Sequence, residues 1–526
     1  MIIFRSLLVN IFFSRGKRVF IYLVQDDLTM VRLASEAMRS NMRIFPGSVH
    51  VVLPVYGIYI FNPLESKYPK QLKKAQLFLA YLKRELSLKE KLRQQLSLFL
   101  APCEISECTM PSVYYWLLCL FMSPILENIN QLREIFKNKK YKHLVTEDKT
   151  GFSREIIDTF IRFKPSPFFN QDDEFVSNIK RRAMALSLFY RNLFYNKLTC
   201  LYCSYTSYIQ NGIPAKLIYK NRQILVTLGS SRCLYRLHNT SKSNPLISAH
   251  PDHSQFNTKD AQPGILSSVE VEEARRTLIN RVNQKYDSSM SYMSNTPSSD
   301  VALKKFTGEY QIQTGSVILM LHAFNDSVHV YRWFLFNDFL EWTIETIKHC
   351  ISNSETIYIK PHPNTDEISL SAIQYLKSTF EDYPNVRWLS PELKNSFIFN
   401  TKPKLIITGY GSVAIESAFC GVPVLVAGDY PGENLNIAMS PKNKYDYFKY
   451  LANPVQIDPT TSKLNAIYTL AFLKHFEGKP QLMSLLNKTR SQLKDSELLS
   501  SKLVNHYLQD AFTELAIKLR DLGPTY

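Results

Sequence analysis

The chain has 526 residues, is 45% hydrophobic and 13% aromatic, and carries a formal net charge of +17. Its length exceeds one ordinary core and suits two or three domains, and its apolar content excludes a disordered chain. The positive balance implies either a generally basic soluble surface or an anionic partner. Nucleic acid fits poorly, because pairs such as Lys17-Arg18, Lys73-Lys74 and Lys139-Lys140 are dispersed and form no basic stripe.

The N-terminal run Met1–Ser14 is apolar but short, and Arg5 and Asn10 interrupt it. No window of about 20 residues is continuously apolar, so no transmembrane helix is expected. Residues 18–24 read as a buried strand, followed by Asp26-Asp27 and a helical pattern through Met38, and 49–54 read as a second strand. Strand, helix, strand is an α/β signature. Residues 70–100 carry helical spacing, and Tyr114–Met122 suits a buried helix, with an in-plane membrane contact as the lesser reading. Residues 143–163 suggest a strand, loop and helix. Over 198–229 the pattern predicts strands around a turn at Asn211-Gly212-Ile213-Pro214. Cys200 and Cys203 lie in an apolar, strand-like run with no second pair at zinc spacing, so reduced structural thiols are expected.

Two polar stretches, 236–262 and 287–300, read as linker. The resulting expectation is an N-terminal domain over 1–240, an irregular segment over 241–310, a second domain over 311–460 and a helical tail over 461–526. In the second domain, strands are expected at 317–322, 356–363, 386–389, 405–408 and 422–427. Helices are expected at 336–350 and 413–420, the latter stopped by Gly421. This alternation predicts a parallel sheet with right-handed crossovers.

Ligands of such sheets sit beyond the carboxyl ends of the strands, and three polar groups fall there. Thr408-Gly409-Tyr410-Gly411-Ser412 joins a strand to a helix. Its glycines allow close backbone approach, Ser412 can cap the helix and donate to a phosphate oxygen, and Glu416 can accept from a ribose diol. A plain turn with a serine cap is the bland alternative. Lys360-Pro361-His362-Pro363 is a rigid turn holding a lysine suited to phosphate and a histidine suited to phosphate or to leaving-group protonation. A strand-ending turn with a surface histidine is its alternative. Around His322, Asp326 and His329 a substrate-facing loop is favoured over a metal site, because the ligand spacing is undefined.

The strand and Lys-Pro-His-Pro of 356–363, followed by Gly409–Val424, resemble bacterial surface-polysaccharide glycosyltransferases, nearest to the capsule Kdo transferases and more distantly the teichoic-acid glycerophosphotransferases. The likeness covers about 316–430. Glu147-Asp148 to Gly151 with Ile156–Arg162 looks like the acceptor-side loop and helix of that family. Tyr410 and the single Ser412 depart from the longer Ser/Asp-rich run of the teichoic-acid enzymes, which weighs against glycerophosphate transfer.

The resemblance implies a GT-B-like α/β fold, with two Rossmann-like domains whose parallel sheets face a cleft. It implies a nucleotide-sugar donor on the C-terminal domain and a glycan or lipid-linked glycan acceptor on the other. By the resemblance His362 and Lys360 would contact the donor phosphates, with Gly411, Ser412 and Glu416 completing the nucleotide site; Gly409 and His322 join the donor side from their own positions at the strand ends. Asp148, Asp158 and Asp326 are open alternatives for the general base. No metal or other cofactor is expected. The net charge of +17 together with that substrate class leads to the expectation of a cytoplasmic enzyme in peripheral contact with the anionic inner-membrane surface. A glycerophosphotransferase, a sugar-nucleotide 2-epimerase and a non-catalytic assembly protein are the competing readings.

Overall fold

A computed structural model describes residues 18–24, 28–46, 48–54, 152–163, scattered positions between 176 and 194, 198–228, 234–238, 266–283 with 285, 312–329, 333–363, 367–430, 432–476 and 502–522. The helices expected over 70–100 and 114–122, the 143–151 segment with Asp148, and most of both polar stretches lie outside these residues. The chain divides into two compact units: Met1–Thr159 with Gln171–Ala249 and Lys479–Tyr526, and Phe160–Asn170 with His250–Gly478.

In the first unit, β1 (Arg18–Val24), β2 (Val49–Pro54), β3 (Leu198–Cys203), β4 (Ile224–Leu228) and β5 (Tyr235–His238) form one sheet in the order β2-β1-β3-β4-β5. All pairs are parallel except β4 with β5. One face carries Phe20, Tyr22, Cys200, Tyr202 and Val226. It is covered by α1 (Leu28–Ile44) and by α11 (Lys502–Asp521), which contributes Leu508, Phe512, Leu515 and Leu519. Three polar groups share this core without orphans: Asn41 donates to the hydroxyls of Tyr22 (3.0 Å) and Tyr202 (2.8 Å), whose rings stack at 4.8 Å. Burial pushes the Cys200 thiol up to about 12 and raises Cys203 as well, so both stay protonated. Both are free thiols.

The segment after β3 corrects the sequence reading. No hairpin turn forms at Asn211-Gly212-Ile213-Pro214. A π-helix over Tyr208–Gly212 runs directly into α3 (Ile213–Lys220), and β4 follows in parallel. Pro214 occupies the first turn of α3, where its missing N–H costs no hydrogen bond. The same Asn-Gly-x-Pro string that favours a turn is therefore a helix start here. Helix α2 (Ser153–Phe163) agrees with the expected helix.

The second unit has β6 (Val317–Met320), β7 (Ile357–Lys360), β8 (Val386–Trp388), β9 (Leu405–Thr408) and β10 (Val424–Val426), in the order β10-β9-β6-β7-β8. Every pair is parallel. Read from β8 this is the 3-2-1-4-5 order of a doubly wound nucleotide-binding half, with its switch point between β6 and β9. One face packs on α5 (Phe339–Ser352), α6 (Glu367–Thr379) and α9 (Lys444–Ala452) through Trp342, Ile347, Leu376 and Tyr447. The other packs on α7 (Asn395–Asn400), α8 (Val413–Phe419) and α10 (Pro459–Phe476). Two parallel-sheet units of this kind make the chain α/β with Rossmann-like architecture.

Two differences concern the segments flanking this unit. The stretch expected to be irregular over 241–310 contains α4 (Ser268–Val282), opened by a capping box between Ser267 and Glu270. Ala274 and Leu278 bury it against α8 and α10. The segment expected as one helical tail over 461–526 is divided: α10 belongs to the second unit and α11 to the first. Among the described residues no helix is long and apolar enough to cross a membrane.

Candidate functional site

The parallel order places the ends of β6, β7 and β9 side by side, Met320 opposite Lys360 and Leu319 opposite Ile407. The residues that follow these strands therefore converge although they are far apart in sequence. Leu321 continues the ladder by donating to the Lys360 carbonyl (2.9 Å), and His322 comes next.

His322 stacks on Phe339, with centroids 4.7 Å apart and planes 7° from parallel, and lies beside Tyr410 at 5.0 Å. Its Nε2 is 3.4 Å from the Tyr410 amide and 3.5 Å from Thr408 Oγ1. Burial, aided by nearby His362, lowers its pKa to about 3. The ring is therefore neutral, and an Nε2 that accepts from the Tyr410 amide carries its proton on Nδ1. Thr408 Oγ1 also accepts from the Gly411 amide (3.3 Å), and the Tyr410 hydroxyl donates to the Ser327 carbonyl (2.8 Å). His322, expected as a donor-binding residue, is thus placed where it braces the 408–411 loop.

The same geometry revises the reason for the glycines. A Cβ on Gly409 would lie 3.1 Å from His322 Cδ2 and 3.2 Å from Phe339, and one on Gly411 would lie 2.9 Å from Thr408 Oγ1. A side chain at Gly409 would press on the stacked His322 and Phe339 rings, so the packing of the protein itself favours a glycine there before any ligand is considered. Ser412 does not cap α8: its backbone is already helical and its side chain makes no capping bond. A serine whose own φ and ψ are α-helical cannot aim its oxygen at the amides of the following turn, as an extended N-cap residue does. The residue is half-buried at the loop's end.

Lys360 is only 6% exposed, at the last position of β7. Burial lowers its pKa to about 8, and the charge of Glu416 opposes the shift. Glu416 is buried on α8 and accepts from Asn395 Nδ2 at 3.0 Å. Its carboxylate is thus held inside the unit, near enough to Lys360 for its charge to act on the lysine. His362 is half-buried two residues beyond Lys360. Asp326 stands on the turn after β6 with its side chain 58% exposed. Asp158 is buried on α2 in the first unit, and Asp148 lies outside the described residues.

The fold therefore brings His322, Lys360, His362 and the Gly409–Ser412 loop to one sheet edge, with Glu416 beneath it, and sets Asp326 toward solvent. Sequence reasoning missed Asn395, Thr408 as a brace and the Tyr410 latch. Their signal is tertiary, a partner supplied from another strand end or helix. No group of three or more His, Cys, Asp or Glu side chains suited to a metal ion occurs among the described residues.

No family model and no curated protein matches the chain. Ten solved chains match its structure. They include UDP-GlcNAc 2-epimerase of Methanocaldococcus jannaschii in complex with UDP-GlcNAc and UDP, at 9% identity over 87% of this chain and 99% of that one, with a TM-score of 0.26. The Neisseria meningitidis UDP-GlcNAc 2-epimerase bound to UDP-GlcNAc matches at 8% identity over 87% and 100%, TM-score 0.23. The S. aureus MnaA–UDP co-structure matches at 8% identity over 86% and 91%, TM-score 0.25. At these scores the likenesses carry no functional weight, and the fold assignment stands on strand order and pairing.

Proposed function

We propose that the chain is a glycosyltransferase that takes a sugar from a nucleotide-activated donor, with the donor phosphates held at the carboxyl edge of the second unit's sheet. The supporting observation is the convergence of Lys360, His362 and the Gly409–Ser412 loop at the ends of β7 and β9, flanking the switch point. Parallel doubly wound sheets bind ligands at that place.

In this reading Lys360 meets the diphosphate as a point charge, and Glu416 with Asn395 keeps the lysine oriented and charged. His362 and the loop amides take up the negative charge that develops on the leaving phosphate, with no metal ion required. An acceptor hydroxyl oxygen forms a bond to the anomeric carbon while the bond from that carbon to the phosphate oxygen breaks. The hydroxyl proton passes to a carboxylate, for which Asp148, Asp158 and Asp326 are the candidates. The acceptor is a cell-surface glycan or its lipid-linked precursor, reached from the cytoplasmic side of an anionic membrane.

Thermal-shift binding of CMP, UDP, GDP and CDP tests the site. One nucleotide should raise the melting temperature selectively, and H362A should abolish the rise, because a ligand stabilises the state it binds. Absence of any shift at millimolar nucleotide refutes the donor site. Unchanged turnover in both H362A and S412A refutes the residue assignment. Interconversion of the nucleotide sugar without an acceptor would replace glycosyl transfer by epimerisation.

A further inference from the structure

Arg162 is a cation that the donor site as drawn above does not use, and the fold delivers it to the same sheet edge. It lies in the last turn of α2, where a positive side chain complements the helix dipole. Phe160 and Ile161 beside it are buried, while the Arg162 side chain is 46% exposed. Phe160–Asn170 belongs to the second unit, and within that unit Arg162 meets the turn that follows β6. Its Nη1 is 3.5 Å from the Asn325 carbonyl and 3.7 Å from Asp326 Oδ1.

That turn is anchored. The Asp326 amide donates to the Ala323 carbonyl (3.1 Å), and the Phe324 amide donates to the buried Ser369 hydroxyl of α6 (3.0 Å). Strand β6 lies between β7 and β9, and neighbouring strands are about 4.8 Å apart. The Ala323–Asp326 turn therefore follows His322 between the strand that ends at Lys360 and the strand that leads into Gly409–Ser412. A helix distant in sequence thus brings a second full cation to the switch point.

Its contacts there are of a kind that a ligand can displace. Both are long and both side chains are exposed, so the ion pair adds little stability. A guanidinium presents its N–H donors as a planar fork that matches two oxygens of a phosphate. A diphosphate offers more charge and more acceptor oxygens than one carboxylate.

We propose that Arg162 is a further donor-binding residue, which rests on Asp326 before the donor arrives and exchanges that carboxylate for the donor's phosphate oxygens on binding. This rests on the donor site proposed above and adds to it a residue carried by α2.

Calorimetric titration of the full chain with UDP, CDP, GDP and CMP tests it in the parent, R162A, D326N and the double variant. For the nucleotide that binds the parent, R162A should weaken binding by about tenfold or more, as loss of a charge-assisted contact does. D326N should strengthen binding severalfold, since it removes the competitor for the guanidinium. The double variant should bind as weakly as R162A, because the gain in D326N passes through Arg162. If the double variant instead returns to the parent affinity, the two charges act only as a distant field and the inference is overturned. Weaker binding in D326N overturns it as well, since the ion pair would then be structural, and so does unchanged affinity in either single variant. The single variants should melt close to the parent, as an exposed pair dictates; if R162A melts early, R162Q, which keeps the stem, takes its place. Binding lost in H362A but kept in R162A sinks this inference alone. A parent that binds none of the four nucleotides refutes the donor site and this residue with it.

Discussion

Lys360 is the residue on which the donor site can be tested most sharply, because its proton is held loosely. Its pKa near 8 is set first by burial and is opposed by Glu416. A bound diphosphate stabilises the charged lysine and so raises that pKa. Nucleotide affinity should therefore be constant below about pH 7.5 and fall as pH rises through 8, by up to about tenfold per pH unit. Titrating the nucleotide-induced melting shift between pH 7 and 9.5 measures this, and a flat profile would remove Lys360 from the site. In the absence of ligand the sign is reversed. A lysine whose folded pKa lies below its unfolded value lowers stability at neutral pH. K360M should abolish the nucleotide shift; it removes the desolvated charge but also leaves the buried Glu416 without its nearby cation, so the nucleotide shift and not the ligand-free melting temperature is the readout.

At the scale of elements, the strands of the second sheet were legible because strands buried on both faces read as continuous apolar runs: Val317–Met320, Ile357–Lys360, Leu405–Thr408 and Val424–Val426 all fall inside the expected segments. The Lys-Pro-His-Pro turn and the 408–412 loop were legible for the same reason, since they begin where those runs end. Helix α4 was not, because its apolar stripe is thin and polar stretches flank it. Only its capping box marks it locally. The partners of His322 and Glu416 were hidden because Tyr410 and Asn395 reach them through the fold. Likewise the helical character of 502–521 could be read, but not its docking on the first sheet. That docking makes a prediction. Leu515 and Leu519 are 1% and 0% exposed against the Tyr22–Tyr202 core. L515A should destabilise the first unit by about 2–5 kcal/mol, while S267A, which removes only the α4 cap, should cost the second unit about 1 kcal/mol. Denaturant melts followed by nucleotide binding separate the two, since only loss of the second unit should track S267A.

For the whole molecule, the acid response is a sum of opposed contributions, and buried groups of both signs occur in each unit. In the first, burial, with help from Arg236, lowers His238 to about 3, while burial raises Glu155 against the pull of Lys216. In the second, burial lowers His322 to about 3 and raises Asp338 to about 6 against its hydrogen bond from the Glu341 amide. A histidine whose folded pKa is depressed binds its proton only in the unfolded chain between about pH 6.5 and 3, so stability falls with acidification across that window. An aspartate whose folded pKa is raised binds its proton first in the folded state between about pH 6 and 4, so it stabilises on acidification over the same range. Between pH 6 and 4 the second unit should therefore lose less stability than His322 alone would dictate, about 1.4 kcal/mol per pH unit at most. The two variants should move the profile in opposite directions. H322Q removes its share of the loss and should flatten the profile between pH 6 and 4 relative to the parent. D338N keeps an N-cap side chain on α5 but removes the gain, and should steepen the loss. Urea melts at half-unit steps from pH 7 to 4 read both slopes. Parallel profiles for the two variants would mean that neither group is buried as the sheet edge and the α5 cap place it.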